Sequence, residues 1–186
     1  DLSGSFTTGR FRHEALAGFE MGRQSTDNFR NTGYFNNATT SILAPYAAPI
    51  ITTPVTFRQS VTDADNHVQT LVAGAYAQDQ IEVTKRLKVV GGLRFDRFDL
   101  DFVNHRNADH LVRTDDMMSP RAGLIFMPVP SLSLYGSYSV SHLPASGDQF
   151  SSLTSITAQL EPEKFTNQEI GMKWDAPRGL SITTAL

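Results

Sequence analysis

The sequence predicts an all-β chain, specifically a portion of an antiparallel transmembrane β-barrel, on three observations. Apolar and polar residues alternate with period two in one segment after another, while helical periodicity is nearly absent. The polar faces of these segments carry charges that a dry core would exclude. Short turns alternate with long connections along the whole chain, against about 2–5 residues for an ordinary hairpin loop.

Composition bounds the answer before any element is placed. The 186 residues hold 16 Lys+Arg against 19 Asp+Glu, a net charge of −3, so bulk charge attracts neither nucleic acid nor an anionic surface. Cysteine is absent, which excludes disulfides, thiolate zinc sites and a cysteine nucleophile. No apolar run approaches the roughly 18 residues of a membrane helix. Barrel strands need only about 9–11 alternating residues, so that architecture survives the test. The chain opens Asp1-Leu2-Ser3-Gly4 with no leader, and both ends are expected to continue in a longer protein.

A strand stub is expected over residues 1–6. Residues 11–24 set Ala15, Ala17, Phe19 and Met21 against Arg12, Glu14, Gly18, Glu20 and Gly22. Residues 71–83 alternate more weakly, through Leu71, Ala73, Ala75, Ala77, Ile81 and Val83. Residues 87–95 alternate cleanly, and beyond Phe95 the apolar parity switches to Phe98, Leu100 and Phe102. A β-bulge near Asp96-Arg97, or emergence of the strand from the membrane, accounts for the switch. Residues 118–126, 132–140 and 165–174 are further strands, and residues 180–186 begin another. Short turns fall at residues 84–86, 128–131 and 175–179, and long loops at 25–70, 103–117 and 143–164. Phe126 and Trp174, beside short turns, suit a lower aromatic girdle.

Catalytic chemistry finds no purchase. His13-Glu14 begins a zincin motif, but position 17 is Ala and the context is a strand. Asp63-Ala64-Asp65-Asn66-His67 lacks the Gly and distal Glu of a calcium loop and reads as solvated. His105, Asp109, His110, Asp115 and Asp116 read as a charged surface loop. Ser139, Ser141 and His142 form no nucleophile elbow, and there is no glycine-rich phosphate loop. The chain is therefore expected to be no enzyme, with no metal site and no cofactor. The loops carry recognition material instead. Tyr34, Phe35, Phe57 and Arg58 in the first loop, and Gln149 and Phe150 in the third, are the candidate ligand contacts, since aromatics beside Arg suit an aromatic anion. For any one of them, packing between loops over the barrel mouth is the competing reading.

Tyr76-Ala77-Gln78-Asp79-Gln80 followed by Gly91-Gly92-Leu93-Arg94-Phe95-Asp96 resembles a strand pair of TonB-dependent outer-membrane receptors. Ser119-Pro120-Arg121-Ala122-Gly123-Leu124, Leu132-Ser133-Leu134-Tyr135-Gly136-Ser137-Tyr138-Ser139, and Leu160-Glu161-Pro162-Glu163-Lys164 with Glu169-Ile170-Gly171-Met172-Lys173-Trp174 continue the resemblance in order. The stretch from Ser139 to Leu153 is similar to the catecholate siderophore receptor branch. The resemblance implies a 22-stranded barrel filled by a plug, importing a ferric siderophore with energy from TonB. Of that barrel, residues 1–186 are expected to supply about seven strands and three extracellular loops. They contain no plug and no TonB box, so TonB would act through a plug this sequence does not include. Bacterial outer-membrane lipid is the remaining implied partner, and nucleic acid is not one. A passive porin-like channel and a soluble β-sandwich binding module are the rival readings.

Overall fold

A computed structural model of the chain describes residues 1–144, 159–176 and 179–186. Ten strands appear among them: β1 (Leu2–Thr8), β2 (Phe11–Phe29), β3 (Thr32–Phe35), β4 (Val55–Arg58), β5 (Asp65–Thr84), β6 (Leu87–Asn104), β7 (His110–Val129), β8 (Leu132–Leu143), β9 (Glu163–Ala176) and β10 (Leu180–Ala185). Eight form one antiparallel sheet in the order β1-β2-β5-β6-β7-β8-β9-β10, a simple up-and-down meander. The other two, β3 and β4, pair as a hairpin inside the connection from β2 to β5. The sheet is an unclosed stretch of barrel wall. The stub expected at residues 1–6 is a complete strand, paired with β2 from Leu2↔Ala17 to Thr8↔Phe11.

Turns at one end of the sheet are tight. Residues 9–10, 85–86 and 130–131 each join neighbouring strands in two residues, and Gly9 takes the left-handed conformation (φ 62°) that its turn requires. The connections at the other end are longer but not uniformly long. The loop expected at residues 103–117 shrinks to residues 105–109, because β6 and β7 stay paired as far as Val103↔His110. Of the charged residues assigned there to a loop, His110, Asp115 and Asp116 therefore lie in a strand. Likewise β2 continues to Phe29 and β5 begins at Asp65, leaving residues 30–64 between them.

These strands are long for a physical reason. Nine residues, from Leu87 to Phe95, suffice to cross a bilayer, yet β6 runs for 18 and β7 for 20. The register of β6 with both neighbours is continuous through Asp96 and Arg97, so the expected bulge is not there. What changes is the environment. Below this level one face carries Phe19, Ala75, Phe95 and Met118 in adjacent register positions, with Phe19 and Phe95 well exposed. Four residues higher the same face carries Arg23, Leu71, Asp99 and Thr114, with Arg97 and Asp116 in the row between, 3.6 Å apart. Arg23 donates to Gln69 at 2.6 Å, Thr114 to Asp99 at 2.6 Å, and His67 meets Asp27 at 2.6 Å.

The opposite face inverts in the other direction. Its lower part holds Glu14, Gln78, Arg94 and Arg121, whereas above Asp96 it holds Phe98, Leu100 and Phe102, all at most 4% exposed. Those three pack with Val68 and Met117 as the core of the chain, with Val72 and Leu111 at its margin. Arg113 and Asp115 pair at 2.7 Å on this same face, both nearly buried. An outer face that turns from apolar to charged while the inner face turns from charged to apolar marks the upper boundary of a lipid-embedded wall.

One exception interrupts the apolar face. His13 and Asp79 sit on it and meet at 2.6 Å, with the Phe6 ring stacked on the imidazole at 4.7 Å. His13 thus answers a carboxylate across strands, as a charge on this face must. The aromatic girdle is present at the turn end, where Phe126 and Trp174 are exposed on the apolar face. If that face meets lipid, Leu93→Arg should lower the unfolding free energy of the membrane-inserted protein by about 2–4 kcal/mol, and Asp101→Arg by no more than about 1 kcal/mol. Urea titration in vesicles measures both; equal effects would contradict the boundary at Arg97.

Candidate functional site

Residues 30–64 are folded at their base by a buried carboxylate. Asp63, 3% exposed, accepts from Arg30 Nε at 2.8 Å, from Thr32 Oγ1 at 2.8 and 2.9 Å, and from the Ser60 backbone N–H at 2.7 Å. Arg30 also donates to the Thr62 carbonyl at 2.7 Å. From the neighbouring turn, Arg106 donates to the Ser60 and Asp63 carbonyls, and His105 reaches Asp65 at 3.0 Å. Both legs of the first loop and the whole of the second are therefore tied together at one point. The segment expected to be solvated is buried at Asp63 and Asn66, and at Asp63 the two arginines supply donors to the carboxylate and the carbonyl.

Above the clamp stands the β3–β4 hairpin, in a stretch of 27 residues (31–57) with no charged side chain and no histidine. Leu43, Tyr46, Ile50 and Phe57 project from this lobe into open space. Its register, Thr32↔Arg58 through Phe35↔Val55, divides the predicted contacts between two faces. Tyr34 and Arg58 share one, with the guanidinium 4.0 Å above the ring centroid and its Nε donating to Asn37 Oδ1 at 3.2 Å. Phe35 and Phe57 lie on the other, where Phe57 and Val55 close over Gly33. The structure thus joins Tyr34 to Arg58 and separates both from Phe35 and Phe57; Gln149 and Phe150 lie outside the described residues.

Sequence reasoning missed Asn37, Asp63, Arg30 and Arg106. Asn36-Asn37 carried a signal, since adjacent asparagines tolerate the left-handed backbone that both adopt (φ 49° and 56°). The clamp carried none, because its members come from three separate stretches of the chain. Chemically the site offers one π-face backed by a cation and an amide, beside an uncharged apolar lobe. It offers no nucleophile with a base, and no group of three or more metal-ligating side chains exists among the described residues.

Comparison with known proteins bears on the family and the fold. A family model described as TonB dependent receptor-like, beta-barrel matches residues 1–186. PiuA of Acinetobacter baumannii, named as a TonB-dependent siderophore receptor, is 27% identical over 213 residues, covering 100% of this chain and 28% of PiuA. The metal-pseudopaline receptor CntO of Pseudomonas aeruginosa is 29% identical over 195 residues, 100% of this chain and 26% of CntO. The PiuA crystal structure superposes with a TM-score of 0.81 at 23% identity, over 98% of this chain and 29% of that one. The closed form of the ferric-catecholate import receptor Fiu from Escherichia coli K12 gives 0.79 at 23%, over 99% and 29%. The chain spans little more than a quarter of these relatives.

The ionisation of Asp63 sets how the clamp answers to pH. The Ser60 N–H, helped by Arg30, Thr32 and the Ser60 hydroxyl, holds its carboxyl well below the usual carboxylate range, against an opposing effect of burial. A depressed value means the contribution to stability is complete above the ordinary carboxylate value of about 3.9 and is lost only as pH falls through the lowered one. Limited proteolysis of residues 31–57 should therefore run at the same rate at about pH 5 as at about pH 7. Asp63→Asn should accelerate it at both values. A lobe that loosens in the native protein near pH 5 would show that Asp63 does not hold it.

Proposed function

Because the chain belongs to the TonB dependent receptor-like β-barrel family, we propose that it forms part of the wall and mouth of a bacterial outer-membrane receptor that imports a ferric siderophore. The observation that carries this reading is the place of the Tyr34–Arg58 pair: on a clamped lobe, beyond the level at which the outer face becomes charged. A recognition surface there faces the medium and not the lipid. Its chemistry suits an aromatic, anionic iron chelate, which the Tyr34 ring stacks against and the Arg58 guanidinium attracts. A catecholate chelate has both properties, and the name of the structural relative Fiu points the same way.

Mechanistically, the lobe and its neighbouring loops would capture the chelate, and a plug pulled by TonB would release it inward. The side chains described above bind and orient; none of them makes or breaks a bond. Tyr34→Ala and Arg58→Ala should each weaken binding of a ferric catecholate siderophore to the receptor by about 3- to 30-fold, the range of a partly desolvated cation–π and stacking contact. Fluorescence titration reads this directly. Unchanged affinity in both variants would remove the lobe from the binding site.

A further inference from the structure

The turn from β6 to β7, residues 105–109, carries none of the side chains assigned above to ligand capture, yet it is firmly framed. At its entrance the His105 N–H donates to the Asp65 carbonyl at 2.9 Å, and the ring Nδ1 meets the Asp65 carboxylate at 3.0 Å. At its exit the Asn104 N–H donates to the Asp109 carbonyl at 2.8 Å. Between them Asn104 Oδ1 accepts from the Arg106 N–H at 3.0 Å, and Asn107 Oδ1 from the Asp109 N–H at 3.1 Å. Asparagine side chains that bond the backbone two residues on fix a turn without help from regular structure. Arg106 therefore projects from a fixed root.

One nitrogen of that side chain, Nη1, donates to the Ser60 carbonyl and to the Asp63 carbonyl, the latter at 2.9 Å. Both acceptors belong to a single turn. It is closed by the Asp63 N–H on the Ser60 carbonyl at 3.2 Å and by the Ser60 N–H on the Asp63 carboxylate at 2.7 Å. The two strands of the hairpin are rooted in this turn. Ser60 follows Arg58, the last residue of β4, by two positions. Thr32, which pairs with Arg58 in register and precedes Tyr34 by two positions, donates to Asp63 at 2.8 and 2.9 Å. A shift of the turn is thus carried over two residues to each member of the Tyr34–Arg58 pair, whose 4.0 Å contact depends on the guanidinium staying over the ring. Both acceptors of Arg106 are neutral carbonyls, so the contact asks for a donor within reach and not for the planar fork of a guanidinium.

We propose that Arg106 is a positioning residue for ligand capture: from the turn beside the lobe it anchors residues 60–63 and thereby holds the Arg58 guanidinium over the Tyr34 ring. It acts through that pair and does not itself touch the chelate. This role deepens the receptor reading above and rests on it. Two connections that are distant in the chain then form one recognition unit, and a substitution in the second changes how tightly the first binds.

Arg106 is exposed in the turn that joins β6 to β7, so its truncation leaves the pairing of those strands in place. In the full-length receptor, titrated with a synthetic ferric tris-catecholate, Arg106→Ala should weaken binding by about 3- to 10-fold. Arg106→Lys should stay within about twofold of the native affinity, since an ammonium can donate to both carbonyls. The double variant is decisive. Once Arg58→Ala has removed the group being positioned, adding Arg106→Ala should cost less than about twofold more. A residue that only supported the barrel mouth would cost the same factor in both backgrounds. Equal costs, native affinity in Arg106→Ala, or an Arg106→Lys variant no better than Arg106→Ala would each overturn the positioning role and leave the receptor reading intact. Native affinity in both Tyr34→Ala and Arg58→Ala would instead refute the lobe as the binding surface, and the role of Arg106 with it.

Discussion

Every backbone N–H and C=O that enters hydrocarbon must be bonded within the protein, since lipid offers no partner and each unmet group costs several kcal/mol. The structure answers with a ladder that links every neighbour of the eight-stranded sheet from β1 to β10 and shifts register only beside turns. The pairings β2–β5, β5–β6 and β6–β7 each persist for 17 or 18 register positions, broken only by one shift between Glu82 and Thr84 beside a turn. Once that ladder is imposed, side-chain chemistry has only the two faces left to work with. Lipid takes one and water the other, and both assignments reverse where the strands leave the bilayer.

That reversal organises the functional half of the molecule. Above Arg97 the inner face can hold an apolar core, so Phe98, Leu100 and Phe102 brace the projecting strands as lipid no longer does. The braced strands carry the Asp63 clamp at their upper end, and the clamp carries the lobe with Tyr34 and Arg58. Lobe, clamp and core therefore form one chain of dependence that begins in the wall. Below the reversal, glycines at positions 74, 92 and 171 let Arg94, Arg121 and Tyr135 lie down, which gives the wall its low inner surface.

Much of this was legible in the sequence, because period-two alternation survives wherever one face meets lipid. The strands at residues 87–95 and 132–140 and the turns between strands could be read directly. Legibility failed where the environment changed along a strand. The switch from Phe95 to Phe98 was visible as broken parity, but parity alone does not separate a bulge from an inverted surrounding; the continuous register decides it. The same inversion hid the upper part of the β6–β7 hairpin, whose polar outer residues His110, Thr114 and Asp116 look like loop. At the site, the hairpin divides Tyr34 and Arg58 from Phe35 and Phe57, a consequence of pairing across the intervening residues 36–54. Asp63 with Arg30 and Arg106 joins points that no local pattern connects.

The central claim is that the outer face passes from lipid to water between Phe95 and Asp99. Residues 1–186 contain no cysteine, so a cysteine introduced there is read against the labelling of the unsubstituted receptor. In intact cells, a membrane-impermeant maleimide should leave Leu93→Cys and Phe95→Cys unlabelled and should label Asp99→Cys and Asp101→Cys. Labelling of Leu93→Cys as readily as Asp101→Cys would contradict the account.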